Sequence, residues 1–213
     1  RLPANYSLSN LEGKRTCRSH LIEKLGLAET ENPIYGIVCR LTEQKGLDIL
    51  LSQMSFFSKQ DCRLVVLGLG DPKFERALKR WARTHPDKIA VCTVLDEAMS
   101  HLVEAGSDYY LMPSIFEPCG LNQMYSQRYG TPPLASNVGG LHDTIDDFRE
   151  NPETGAGLLF EPSEPHFKNA LEESLSIFRS EGEYQRMQAN GMKRDFSWSN
   201  AAKEYEALYS DSI

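Results

Sequence analysis

The chain has no apolar run approaching the roughly 20 residues that span a bilayer, and no amino-terminal hydrophobic signal segment or Arg/Ser-rich transit pattern. It also lacks a cysteine framework. Cys17, Cys39, Cys62, Cys92 and Cys119 are odd in number and spaced more than twenty positions apart, so neither paired disulfides nor a Cys-x-x-Cys zinc site is indicated. A reducing compartment, the cytoplasm, is the expectation. There is no excess of positive charge: a net charge of −7 argues against a wide nucleic-acid-binding surface and requires any anionic ligand to be held locally. The five histidines show no metal-ligand spacing, and no internal repeat or low-complexity tract interrupts the chain. The first residue is Arg1 rather than Met, which leads to the expectation that a longer protein includes this stretch.

What is present is a regular alternation. Short β-rich runs at 34–39, 64–67, 89–93, 109–112, 133–135 and 157–160 are separated by helical spacing at 46–57, 73–82, 96–105 and 121–129. Such β-α order implies right-handed crossovers and therefore an α/β fold, a Rossmann-like doubly wound parallel sheet with helices on both faces. Residues 1–33 read as a leading loop and helix ended by Gly26, 34–195 as the sheet domain, and 196–213 as a closing helix. In that last segment Ser199 is the expected N-cap, and Ala201, Ala202, Tyr205, Leu208 and Tyr209 form a stripe expected to pack.

In an open parallel sheet, ligands bind outside the carboxyl ends of the strands. Three post-strand segments stand out: Arg40-Leu-Thr-Glu-Gln-Lys45-Gly46, Pro113-Ser-Ile-Phe-Glu117-Pro-Cys119-Gly120-Leu121-Asn122-Gln123, and Ser136-Asn-Val-Gly139-Gly140-Leu141. The helix beginning near Gly120 would offer unpaired N–H groups and a positive dipole end, and Arg40 and Lys45 could converge on the same anion. Glu117 would be a poor phosphate ligand but a good acceptor for sugar hydroxyls. Each of these has a plainer reading, as a surface ion-pair partner, a solvated lysine or a glycine turn. Gly68-Leu69-Gly70 lacks the third glycine of a dinucleotide fingerprint. On residues alone the reading stops at an α/β domain that binds a phosphorylated ligand.

The same segments resemble, in the same order, the carboxyl-terminal domain of the bacterial glycogen synthase and plant starch synthase family, glycosyltransferase family 5. The resemblance runs through Arg40–Asp48, Phe116–Tyr125, Tyr129–Pro133 and Gly139–Thr144, and extends to Leu2–Ser7, Gly70–Pro72 and Phe196–Trp198. It implies the C-terminal half of a GT-B fold, in which two Rossmann-like halves face each other across a cleft. It further implies transfer of glucose from ADP-glucose to the non-reducing end of an α-1,4-glucan with retention, without a cofactor or metal.

Carried onto this chain, the resemblance gives Arg40 and Lys45 the diphosphate and Glu117 the transferred glucose. Cys119, Gly120, Leu121, Asn122, Tyr125, Gly139 and Gly140 become substrate-binding positions. The implied partners are the nucleotide sugar, the glucan and the missing amino-terminal domain, with no nucleic acid and no membrane; a plant source would place the protein in the plastid stroma. The sequence departs from the family pattern at three places. Leu95 stands where an aromatic stacks on adenine, Ile115 replaces an arginine before Phe116-Glu117, and Ser136-Asn137-Val138 replaces basic residues before Gly139. Two rivals stay open: a UDP-glucose-dependent retaining GT-B transferase, and a catalytically lapsed glucan- or nucleotide-binding module.

Overall fold

Strands with apolar residues at every position need cover on both faces, and that requirement organises the whole chain. The computed structural model describes residues 2–180 and 182–210. Its strands are β1 (Ile34–Val38), β2 (Arg63–Leu67), β3 (Ile89–Cys92), β4 (Tyr109–Met112), β5 (Pro133–Ser136) and β6 (Leu158–Phe160). They form one parallel sheet in the order β3-β2-β1-β4-β5-β6. The order reverses between β1 and β4, the switch point at which a doubly wound sheet opens a crevice.

Alternate residues of each strand point to opposite faces. Tyr35 and Ile37 of β1 and Leu64 and Val66 of β2 enter one core with Leu47, Phe57, Phe74 and Phe167. That core is covered by α2 (Leu47–Ser52), α3 (Met54–Lys59), α4 (Pro72–Thr84), α8 (Glu164–Arg179) and α9 (Glu183–Lys193). Ile34, Val65 and Leu67 face the other way, onto α1 (Glu12–Leu25) and α5 (Glu97–Gly106). A smaller cluster of Tyr110, Met112, Ala135, Leu141 and Ile145 lies under α6 (Asn122–Arg128) and α7 (Gly139–Thr144). Helix starts follow local chemistry: Asp71 and Asp96 cap α4 and α5 by accepting from the N–H groups of Lys73 and Met99.

Two expectations are corrected. The helix expected over 46–57 is broken at Gln53. There the buried side-chain amide donates to the carbonyl of Glu164 at 3.2 Å, and the Ser52 hydroxyl turns back to the Ile49 carbonyl at 2.7 Å. The last helix, α10 (Trp198–Ser210), does form, but Ser197 rather than Ser199 sits at its start, its carbonyl accepting from the N–H groups of Asn200 and Ala201. Its apolar stripe is largely solvent-exposed: Tyr205 is 59% exposed, Leu208 61% and Tyr209 65%. Residues 211–213 of the expected closing segment lie outside the described residues.

Candidate active site

The crevice exists because β1 and β4 pair only at Tyr35 with Tyr109 and at Gly36 with Tyr110. Beyond that point the backbone of Val38 needs new partners on the β4 side. The Tyr110 hydroxyl supplies them, donating to the Val38 carbonyl at 3.0 Å and accepting from its N–H at 3.2 Å. Asn122 completes the arrangement, its amide donating to the Val38 carbonyl at 3.0 Å and to the Tyr110 hydroxyl at 2.7 Å. Burial raises the Tyr110 hydroxyl well above the ordinary tyrosine range, so it remains a phenol that can donate. Asn122, expected to touch substrate, therefore spends its donors on holding the crevice open.

Two loops close on each other above this gap. After β1, a single 3-10 turn at Glu43–Lys45 ends in Gly46 with φ of 68°, and a Cβ there would lie 1.7 Å from the Pro113 carbonyl oxygen. Only glycine allows both the left-handed conformation and that approach. Gln44 then ties the loops together. Its carbonyl accepts from the Ile115 N–H at 2.9 Å, and its side-chain amide donates to the Phe116 carbonyl at 3.1 Å.

The clamp brings the Lys45 ammonium into direct contact with the Glu117 carboxylate, whose same oxygen accepts from Ser114 Oγ at 3.3 Å. Glu117 is 7% exposed. Arg40, beside them at the end of β1, is exposed and makes no side-chain hydrogen bond or ion pair among the described residues. Burial pushes the neighbouring Cys39 thiol up to about 12, so it stays neutral.

The third loop is joined to the second by close backbone approach. Gly140 N–H donates to the Glu117 carbonyl at 2.9 Å. A Cβ at Gly139 would lie 2.3 Å from that carbonyl oxygen, and one at Gly140 would lie 2.1 Å from the Cys119 carbonyl oxygen. From beneath, the buried Gln123 amide donates to the carbonyls of Cys119 and Gly120 at 3.0 and 3.1 Å and to Thr144 Oγ1 at 3.0 Å. The N–H groups of Gly120 and Leu121 make no hydrogen bond among the described residues. Because α6 has only seven residues, what it offers a ligand is these free N–H groups more than a long-axis dipole.

A cavity of about 550 Å³ gathers Arg40, Lys45, Glu117, Cys119, Gly120, Leu121 and Asn122. A second, also of about 550 Å³, shares Arg40 and Asn122 with it and continues past Gly68 to Leu95, which is 87% exposed. Tyr125, Gly139 and Gly140 line neither: Tyr125 stands half-exposed on α6, and the two glycines act through the backbone of the Glu117–Cys119 segment. Among the described residues no group of three or more His, Cys, Asp or Glu side chains could hold a metal ion, and no helix is long and apolar enough to cross a membrane. Tyr110, Gln44 and Ser114 are additions to the expected site. The signal for Gln44 was its place inside the Arg40–Gly46 segment, whereas Tyr110 carried none beyond a core aromatic.

Residues 19–194 match the family model described as glycosyl transferases group 1. The glycogen synthase of Opitutus terrae is 50% identical over the whole of this chain, which covers 44% of that protein. The glycogen synthase of Aeromonas salmonicida is 44% identical with the same coverage. Among solved structures, the catalytic domain of starch synthase IV from Arabidopsis thaliana, bound to ADP and acarbose, superposes with a TM-score of 0.90 at 32% identity, covering 99% of this chain and 45% of that one. The chain thus spans less than half the length of these relatives. On the family match and on this likeness over its whole length, the chain belongs to the glycosyl transferases group 1 family, in its glycogen and starch synthase branch.

Proposed function

We propose that this chain is the donor-binding half of a glycogen or starch synthase, holding ADP-glucose for transfer of glucose to the non-reducing end of an α-1,4-glucan with retention. The observation that carries the reading is an unpaired Arg40 beside the Lys45–Glu117 pair, at the mouth of the β1/β4 crevice and shared by two adjoining cavities. The diphosphate takes Arg40, Lys45 and the free N–H groups of Gly120 and Leu121; glucose hydroxyls take Glu117; the adenosine extends toward Leu95. The ADP in the starch synthase IV structure supports the adenine assignment.

The bond that breaks joins the anomeric carbon to the diphosphate oxygen, and the acceptor hydroxyl forms its bond on the same face of the sugar. The acceptor proton passes to the departing phosphate oxygen. Negative charge grows on the diphosphate as it leaves, and donors already in place at Arg40 and Lys45 stabilise that charge without reorganising. Glu117 orients the sugar; the ammonium that touches it also reaches the phosphate side, so one cation serves both ends of the donor.

The remaining half of the protein completes the cleft. The exposed stripe of α10 supports a contact with it, and the chain alone is expected to transfer little or no glucose because acceptor and donor are not held together. Free cysteines, none of them disulfide-bonded, support residence in a reducing compartment such as the cytoplasm. The test is calorimetric titration with ADP, ADP-glucose and UDP-glucose, repeated on Arg40→Ala. Binding of the ADP ligands, weaker binding of UDP-glucose and a loss of about tenfold or more in the variant support the reading. No binding of either ADP ligand, or an unchanged affinity in Arg40→Ala, overturns it.

A further inference from the structure

A cavity of about 740 Å³, larger than either half of the donor crevice, lies at the outer edge of the sheet against β6. An edge strand exposes unpaired backbone groups, and here a side-chain pair covers them. Asp147 accepts from the Leu159 N–H at 2.9 Å, and the Arg149 guanidinium donates to the Leu159 carbonyl. The loop carrying these residues forms one wall, α8 with His166 and Asn169 forms another, and Asn137 with α7 forms the third.

The lining restricts the ligand. Its single cation, Arg149, is already held by Asp147 and by Glu173, while Asp146, Glu150 and Glu161 add negative charge. A phosphate or carboxylate ligand is therefore disfavoured. The floor contains Ile145, Phe160 and Ala170, and the walls carry neutral polar groups with open valences. The side-chain amide of Asn169 and the hydroxyl of Thr154 make no hydrogen bond among the described residues. His142 and His166 each have one ring nitrogen engaged, by Asn137 at 2.7 Å and by Ser163 at 2.8 Å, and the other makes no hydrogen bond among the described residues. Mixed donors and acceptors around an apolar floor match a neutral polyhydroxylated chain, which has hydroxyl edges and C–H faces.

The position links this cavity to the donor site. Asn137 donates its backbone N–H to the Phe160 carbonyl at 2.7 Å, and three residues later Gly140 donates to the Glu117 carbonyl. One short loop thus walls the edge cavity and braces the segment that carries the carboxylate of the crevice. We propose that the β6-edge cavity is a second carbohydrate site that holds a stretch of α-glucan beside the crevice, keeping the polymer near between transfers. This rests on the donor-site reading for its purpose but not for its measurement.

The test is electrophoresis of the 213-residue chain through native gels with and without amylopectin, alongside titration with maltoheptaose. Retardation by amylopectin but not by dextran, reduced about fivefold or more in the Asn169→Ala/His142→Ala double variant, is the expected result. ADP titration of the same variant, expected to be unchanged, verifies that it is folded. Arg40→Ala is expected to keep its full glucan retardation. Absence of retardation, or retardation equal in the double variant and the parent, overturns the proposal. A chain that binds ADP but not glucan defeats this inference alone, whereas one that binds glucan through the edge cavity but no ADP ligand defeats the donor reading alone.

Discussion

The Lys45 ammonium rests directly on the Glu117 carboxylate, joining loops that are 72 residues apart in sequence. The side chains are 19% and 9% exposed, so each charge depends on the other more than on water. Removing one partner strands the other in a poorly solvated position. Lys45→Ala is expected to destabilise the chain by about 2 kcal/mol in urea denaturation, and Glu117→Gln by less, because the Lys45 ammonium left without its counter-charge is the more exposed of the two and a glutamine carbonyl can still accept from it. The double variant should lose clearly less than the sum, and additive losses would show that the contact carries no coupling.

Leu95 occupies the far end of the second donor cavity and is almost wholly exposed. An apolar side chain with so little cover offers a flat base only a small contact. Leu95→Tyr is expected to tighten ADP binding by about three- to tenfold, the range of an added ring-on-ring contact, and to leave inorganic pyrophosphate binding unchanged. Equal tightening for both ligands, or none for ADP, would place the base elsewhere.

Much of this site was readable because strand ends in a parallel sheet tell where a ligand goes. Runs such as Leu64–Leu67 declare strands buried on two faces, and the residues just after them then become candidates without knowledge of tertiary contacts. What was hidden depends on distant partners. The Lys45–Glu117 pair and the bond from Gln53 to the Glu164 carbonyl leave no trace in local spacing. Tyr110 reads as core because its ring is core; only its hydroxyl, at the point where β1 and β4 separate, does anything more. The stripe on α10 was legible as amphipathic, but periodicity does not name the surface that covers it. Gly139 and Gly140 were legible as a turn, and their role of letting one loop touch another's backbone needed three dimensions.

Two glycines with nearly the same backbone separate conformational strain from collision. Gly26 ends α1 with φ of 65°, and a Cβ there would have nothing within 4 Å, whereas Gly46 has φ of 68° and a Cβ there would meet the Pro113 carbonyl oxygen at 1.7 Å. Gly26→Ala should cost only the left-handed penalty, about 1 kcal/mol. Gly46→Ala adds displacement of the β4 loop, so its cost should exceed that of Gly26→Ala by about 2 kcal/mol or more in thermal or urea denaturation. It should also weaken ADP binding, since the displaced loop leads into the Gly120 and Leu121 N–H groups proposed to hold the diphosphate. Equal costs would mean that the two loops separate freely.

Glu104, 3% exposed on α5, provides the clearest pH dependence. Burial raises its carboxyl from 4.5 to about 7. Between those values the folded chain keeps the proton that the unfolded chain has released, so the folded state binds more protons and stability falls as pH rises through this window. Below about 4.5 both states are protonated and the effect vanishes; above about 7 it is complete. Glu104→Gln, which mimics the protonated acid, should therefore match the parent near pH 4.5 and exceed its stability near pH 8 by up to about 3 kcal/mol. The His101 ring, 3.8 Å from the carboxylate, reduces that gain wherever it carries charge. Urea denaturation at the two pH values reads the difference directly, and a gain that stayed constant across the window would show that Glu104 is ionised in the folded chain throughout.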